Sequence, residues 1–352
     1  MKFFAALLVP LLYSISAHAD TFADDAFTAI KLLQEKWYNY DTGLWNDLWW
    51  QSGNIIEAIA RFGIQDAAFK EYALMIVSNT FAKSPNQHGA TQWRNKFYDD
   101  EGWWAMGWIA SYDLTGDVKY LNAAKDIFED MTTGWNTPCN GGLWWSKDRD
   151  YIAAISNELF FSVAAHIANR VDGQQKEDYT NWASMEWDWF KKSGMINSDE
   201  LINDGIDPTT CKPKGITFTY NQGIVLAGLS ELARAKNNGD YIEEAYKLAV
   251  ASTTKLSDGS GILTEPVGGP LDPVSSQFKG AYVRGLSTLY ENAPQQGVKE
   301  FFYRNANAAR SQPRVDGGII VDLWQGSSQN GNPSTHASGI DIMVAAALAG
   351  DP

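Results

Sequence analysis

Apolar residues recur every three to four positions along most of the chain, a spacing typical of α-helices. Strict alternation of apolar and polar residues, which indicates strands, is nearly absent. Stop signals at Gly, Asn and Pro divide the pattern into separate helices. The predicted helices cover residues 23–38, 48–62, 67–82, 99–114, 118–133, 153–169, 175–193, 220–237, 241–256, 276–290, 298–311 and 336–348.

The predicted helices alternate between two kinds. One kind begins with a polar or aromatic cluster and continues with small apolar residues, as in 99–107 and 220–228, whereas the other carries charges on one side, as in 241–247. Helices that are apolar around most of their circumference are buried, and striped helices face water. We therefore predict an all-α (α/α)6 toroid of about six helical hairpins, with the first helix in the outer position left open by the last inner helix.

In such a toroid the inner helices all begin at one face, so their first residues and the preceding loops converge on a central cleft. The sequence offers no Pro-rich or Ser-rich linker, and we expect a single domain over residues 20–352. The candidate cleft residues are Trp49, Trp50, Asp99, Asp100, Trp103, Trp104, Trp144, Asn157, Tyr220 and Asn221.

The first nineteen residues have the features of an export signal. Lys2 precedes an apolar run, and Ala17-His18-Ala19 supplies the small residues that a signal peptidase recognises. No later segment has about twenty uncharged apolar residues, and the C-terminal segment is too short for a lipid-anchor signal. We expect a secreted, extracellular protein that is free of the membrane.

The composition and net charge exclude some classes of binding partner. The formal net charge of −14 argues against nucleic acid and anionic membranes and favours a neutral ligand. Fifteen Trp suggest carbohydrate, because sugar C–H faces stack on indoles, although each Trp could equally pack in the core. Cys139 and Cys211 are expected to form one disulfide. No His/Asp/Glu cluster has the spacing of metal ligands, so we expect no metal and no cofactor. The sequence does not show the oligomeric state, for which a monomer is our expectation.

Asp99 and Asp100 are the candidates for chemistry. Glycosidic cleavage uses two carboxyl groups, and two adjacent anions repel each other, so that one stays charged while the other holds a proton. A gap of about 5 Å between the carboxyl groups would favour a retaining route and a wider gap inversion. In the alternative interpretation Asp99 caps the helix and Asp100 and Glu101 stabilise its first turn. The neighbouring Trp103 and Trp104 favour the catalytic role, because indoles would dry the site.

The other candidates each have a structural alternative. Asn157 and Asn221 could donate hydrogen bonds to sugar hydroxyls or cap their helices. Trp49, Trp50 and Trp144 could be stacking platforms or core residues.

Four segments together carry a family resemblance. They are Tyr98-Asp99-Asp100-Glu101-Gly102-Trp103-Trp104, Gly141-Gly142-Leu143-Trp144-Trp145, Ile155-Ser156-Asn157-Glu158 and Thr219-Tyr220-Asn221-Gln222-Gly223. In these segments the chain resembles glycoside hydrolase family 76, the endo-α-1,6-mannanases and related cell-wall enzymes of fungi and bacteria. The resemblance implies the (α/α)6 fold, retention of configuration and α-mannan as the substrate. It also implies that Asp99 is the nucleophile and Asp100 the acid/base.

Other functions remain compatible with the same pattern. A covalent glycosyl intermediate can react with water or with a sugar hydroxyl, so a cell-wall transglycosidase is an alternative to a hydrolase. An inverting glycosidase, a polysaccharide lyase or a non-catalytic glycan-binding protein could use the same scaffold. Lyases need Arg, Lys or Tyr to neutralise a uronic acid, and the predicted cleft is acidic instead.

Overall fold

A computed structural model describes residues 21–326 and 328–350 of the chain. The predicted export signal at residues 1–19 lies outside the described residues. Within them the fold consists mainly of α-helices, joined by loops that contain a few two- and three-residue strands. None of the helices in the described part is long and apolar enough to cross a bilayer.

Six helices form a closed inner ring. These are α2 (Trp50–Gln65), α4 (Tyr98–Thr115), α6 (Ala154–Ala168), α8 (Thr219–Lys236), α10 (Phe278–Asn292) and α12 (Pro333–Leu348). Each packs against the next along the chain, and α12 packs against α2. Every residue of α6 is buried, as expected for a helix that is apolar on all sides.

Six further helices surround this ring. These are α1 (Phe22–Trp37), α3 (Lys70–Lys83), α5 (Val118–Thr132), α7 (Gly173–Phe190), α9 (Asp240–Lys255) and α11 (Gln296–Ser311). α9 buries five of its 16 residues, as a striped helix on the surface should. α1 packs against α12, which is the predicted place for the first helix. The predicted (α/α)6 toroid is confirmed.

Small residues let the inner helices approach one another closely. A Cβ atom at Gly107 of α4 would lie 2.7 Å from the carbonyl oxygen of Gly53 on α2. A Cβ atom at Gly228 of α8 would lie 2.5 Å from the ring of Phe161 on α6. Larger side chains at these two positions would push neighbouring inner helices apart.

Short strands order the loops at the cleft end of the ring. β1 (Tyr38–Asn39) pairs with β2 (Leu44–Trp45), and β3 (Trp135–Thr137) pairs with β4 (Gly141–Leu143). β5 (Ile152–Ala153), β6 (Gly205–Ile206) and β7 (Pro213–Lys214) form a three-stranded antiparallel sheet. The predicted disulfide joins Cys139, between β3 and β4, to Cys211, between β6 and β7. It therefore ties the loop before α6 to the loop before α8.

Candidate active site

A cleft of about 490 Å³ opens where the inner helices begin. Five of the predicted site residues line it, and they come from α2, α4 and α8: Trp50, Asp99, Asp100, Trp103 and Tyr220. The toroid brings them together because its inner helices all start at this face.

The two aspartates follow the helix start instead of capping it. The N-cap of α4 is Phe97, which is extended and makes no side-chain capping bond. Asp99 and Asp100 are the second and third residues of the helix, and both line the cleft. The interpretation of Asp99 as an N-cap is therefore wrong for this helix, although the backbone N–H groups of Asp99 and Asp100 in the first turn still stabilise the charge of Asp99.

Each aspartate has a different hydrogen-bond partner. The indole Nε1 of Trp145 donates to Asp99 Oδ2 at 3.1 Å. The amide Nδ2 of Asn95 donates to Asp100 Oδ2 at 2.7 Å. The two neighbouring carboxyl groups are thus held separately, one by the loop before α6 and the other by the loop before α4.

Burial separates the protonation states of the pair. Burial raises the pKa of Asp99 to about 6, although the bond from Trp145 and the first-turn amides oppose this rise. Burial and the adjacent charge of Asp99 raise the pKa of Asp100 well above its ordinary value, and the bond from Asn95 opposes this only in part. The directions of these shifts favour the ionised form at Asp99 and the protonated form at Asp100.

Aromatic rings form two walls of the cleft. Trp50 and Trp103 stack with centroids 6.0 Å apart and 28° between their planes. Tyr220 and Phe278 stack at 3.9 Å and 5°. Such faces suit the C–H surfaces of sugar rings.

Three predicted tryptophans lie outside the cleft lining, in the core. Trp49, Trp104 and Trp144 are only 6%, 0% and 7% exposed. The ring of Trp104 stacks on that of Trp108 at 5.4 Å. None of the three lines the cleft, so the core interpretation of Trp49 and Trp144 agrees with the structure. Trp103 does line the cleft but is only 2% exposed, which leaves the half-buried Trp50 as the accessible ring of that stacked pair.

The two predicted asparagines are also buried. Asn157 accepts from the backbone N–H of Leu143 at 2.6 Å and donates to the carbonyl oxygens of Leu143 and Ala153. Asn157 therefore holds β4 in place and has no polar group left for a sugar. Asn221 is fully buried on α8, and its amide has no hydrogen-bond partner within residues 21–326 and 328–350. Neither residue caps its helix, since the N-caps of α6 and α8 are Ala153 and Phe218.

Sequence reasoning missed a third carboxylate in the cleft. Asp204 lies just before β6, and its Oδ2 accepts from the hydroxyl of Tyr151 at 2.7 Å. Burial raises the pKa of Asp204, while hydrogen bonds from Tyr151 and Tyr220 oppose the rise. The charge of Asp204 in turn contributes to the raised pKa of Asp99. No local signal marks this residue, because the pairing of β5 with β6 brings it to the cleft.

Comparison with known proteins gives one family. The model of "Glycosyl hydrolase family 76" matches residues 14–349. Mannan endo-1,6-alpha-mannosidase DCW1 of Saccharomyces cerevisiae is 22% identical over 80% of this chain and 67% of its own length. Mannan endo-1,6-alpha-mannosidase DFG5 of the same yeast is 30% identical over 66% of this chain and 55% of its own length. The chain matches only 40% of the length of a Schizosaccharomyces pombe relative.

Solved structures give the same fold. An inactive variant of the α-1,6-mannanase GH76A of Salegentibacter sp. HEL1_6, with two consecutive aspartates replaced by alanine, was solved with α-1,6-mannotetrose. It is 22% identical, its TM-score is 0.81, and the match covers 94% of this chain and all of that one. Dfg5 from Chaetomium thermophilum, in complex with glucosamine, has a TM-score of 0.79 at 15% identity, covering 93% of this chain and 90% of that one. At these identities the likeness establishes the fold alone.

Proposed function

The chain belongs to glycosyl hydrolase family 76, and from this premise we propose that it is a retaining, endo-acting α-1,6-mannanase that hydrolyses α-mannan by double displacement. The observation that carries the proposal is the pair of adjacent carboxyl groups that line the cleft, with aromatic rings beside them. Burial raises the pKa of both groups, and the charge of Asp99 raises that of Asp100 further. Two carboxyl groups in different protonation states are what glycosidic cleavage needs.

The chemistry of the cleft supports a neutral polysaccharide. Its acidic lining groups are the carboxyl groups of Asp99, Asp100 and Asp204, which can accept hydrogen bonds from sugar hydroxyls. The stacked pairs Trp50/Trp103 and Tyr220/Phe278 offer flat apolar faces. Mannan is suggested by the names of the relatives, which are mannan endo-1,6-alpha-mannosidases, and by the oligosaccharide bound to the Salegentibacter enzyme.

We assign the first step to both aspartates acting together. Asp99 attacks the anomeric carbon while Asp100 gives its proton to the departing glycosidic oxygen, so the C–O bond breaks and a covalent glycosyl-enzyme forms. The raised pKa of Asp100 keeps this proton available near neutral pH, and the lower pKa of Asp99, about 6, leaves it ionised.

In the second step Asp100 acts as a base. It removes a proton from water, the water oxygen attacks the anomeric carbon, and Asp99 leaves as a carboxylate. The two inversions restore the original configuration. Once Asp99 is esterified its negative charge is gone, so the pKa of Asp100 falls and it can serve as a base.

Digestion of unbranched α-1,6-mannan tests the proposal. We expect a ladder of short oligosaccharides, as an endo-acting enzyme produces, and α-configured products in NMR spectra recorded at early times. Initial β-products would indicate inversion, and transfer products longer than the substrate would indicate a transglycosidase. Binding without turnover would refute the enzyme and favour a glycan-binding protein.

Two variants test the assigned roles. Asp99→Asn should abolish turnover of every substrate, because no nucleophile remains. Asp100→Asn should lose activity on mannan yet still release phenol once from an aryl α-mannoside with a good leaving group, since such a group departs without a proton. A reversed result would exchange the two roles.

A further inference from the structure

The orientation of the Asn95 amide is fixed by its surroundings. Its Oδ1 accepts from the backbone N–H of Phe97 at 2.8 Å. A backbone N–H can only donate, so the oxygen must face Phe97 and the NH₂ group must face Asp100. There Nδ2 donates to Asp100 Oδ2 at 2.7 Å.

This contact decides which oxygen of Asp100 is free to hold the proton. Oδ2 accepts from an amide donor, and a carbonyl oxygen is a better acceptor than a hydroxyl oxygen, so this bond favours the proton on Oδ1. Among the described residues, the hydrogen bond that the Asp100 carboxyl group accepts is at Oδ2, which leaves Oδ1 without one, and Asp100 lines the cleft. We propose that Asn95 is a positioning residue that keeps the proton of Asp100 on Oδ1, where it faces the departing oxygen, and this rests on the proposed function.

A buried carboxyl group holds Asn95 itself. Glu101 is fully buried, and its Oε1 accepts from the backbone N–H of Asn95 and from Lys147 Nζ, each at 2.9 Å. Lys147 also pairs with Asp130 at 2.7 Å. Glu101 therefore does more than stabilise the start of α4, because it holds the segment that carries Asn95 through the backbone N–H of that residue.

Backbone hydrogen bonds connect the two loops that bind the aspartates. The backbone N–H of Lys147 donates to the carbonyl of Lys96 at 2.9 Å, and that of Tyr98 donates to the carbonyl of Trp145 at 3.0 Å. The segment with Asn95, which binds Asp100, is thus fixed to the segment with Trp145, which binds Asp99. Displacement of either segment would move both hydrogen-bond donors.

Asn95→Asp is the sharpest variant, because it keeps the shape and the acceptor for Phe97 while it removes the donor to Asp100. We expect kcat on mannan to fall by about 10- to 100-fold with KM little changed, since general acid catalysis contributes about 10²- to 10⁴-fold. The basic limb of the pH profile should move to higher pH, because loss of the donor destabilises the ionised form of Asp100.

A substrate whose leaving group needs no proton distinguishes the loss of proton positioning from a general loss of activity. The dinitrophenolate of a dinitrophenyl α-mannoside departs without protonation. Asn95→Asp should therefore release it at most of the parent rate. Asn181→Asp adds the same charge on an exposed position of α7 and should behave like the parent on both substrates. An equal loss on both substrates, or an unmoved basic limb, would overturn the proposal.

A titration that needs no turnover completes the test. Carboxyl ¹³C NMR of aspartate-labelled protein, with the Asp100 signal assigned from Asp100→Asn, should show a higher pKa for Asp100 in Asn95→Ala than in the parent. An unchanged pKa would overturn the role of Asn95. If the parent cleaves neither mannan nor the aryl mannoside, the proposed function fails, whereas the titration still decides whether Asn95 controls Asp100.

Discussion

The hydrogen bond from Trp145 to Asp99 gives a prediction about the acidic side of the pH profile. Trp145→Phe removes the N–H donor and keeps an aromatic ring against Phe97, whose centroid lies 4.8 Å from that of Trp145. The donor stabilises the charged form of Asp99, so its loss must raise the pKa of Asp99 further above about 6. Asp99 has to be ionised to attack, so activity should decline at a higher pH than in the parent.

The size of the shift follows from the geometry. Hydrogen bonds to charged groups contribute about 1.5–3 kcal/mol, and the 3.1 Å separation between Nε1 and Oδ2 is long for such a bond, which favours the lower end. About 1.4 kcal/mol corresponds to one pKa unit, so the acidic limb of kcat/KM should move up by about one pH unit. Trp145→Phe should then be roughly tenfold less active than the parent at low pH and nearly equal to it above neutrality.

The assay measures kcat/KM on α-1,6-mannan between about pH 4 and about pH 9. This range covers both the ordinary pKa of a carboxyl group and the raised pKa values in the cleft. Trp135→Phe is the matched control, since its indole packs against Phe160 and Trp182, away from the cleft. A uniform loss of activity at all pH values, or an acidic limb that coincides with that of the parent, would refute the reasoning.

Three further predictions concern stability. Asn157→Ala should lower the free energy of unfolding by about 2–4 kcal/mol in urea titrations, because it leaves the N–H and C=O of Leu143 unpaired in the core; an unchanged midpoint would contradict this. Reduction of the Cys139–Cys211 disulfide, whose cysteines are 72 residues apart, should lower the free energy of unfolding by about 2–5 kcal/mol and lower Tm in calorimetry. The Tm of the Cys139→Ser/Cys211→Ser variant should not change when reductant is added. Arg284→Met should cost about 3–5 kcal/mol, because it strands two buried carboxylates that Arg284 pairs, and a loss under 1 kcal/mol would show that they are neutral without it.

Tryptophan pairs show where the periodic pattern stops being informative. In each of Trp49/Trp50, Trp103/Trp104 and Trp144/Trp145, one ring lines the cleft and its neighbour does not. Adjacent residues on a helix point about 100° apart, and in an extended segment they point to opposite sides. The sequence could indicate that each pair straddles the cleft wall. It could not indicate which member faces the sugar, because both members are equally apolar.

The sequence pattern could not identify the loop residues of the site for a different reason. Tyr151 and Asp204 are 53 residues apart and meet only when their loops pack together. Asn95 is five residues from Asp100, but their contact depends on the turn before α4, which Glu101 holds through the backbone N–H of Asn95. Asn157 and Leu143 are 14 residues apart, and nothing in the local pattern indicates that an asparagine at a helix start will bind a strand. Such pairings depend on the register of short strands, which helical periodicity does not report.

The amino-acid sequence by itself determined the helices, their division into buried and striped kinds, the closed toroid and the neighbouring acids at Asp99 and Asp100. These follow from local spacing and from which faces must avoid water. Only the tertiary structure decided which of the two acids each loop supports, which aromatic rings line the cleft, and where Asp204 and Asn95 come to lie. The physical reason is that hydrophobic burial acts on every apolar side chain alike, whereas hydrogen bonds and burial of charge depend on partners that the chain brings together only when it is folded.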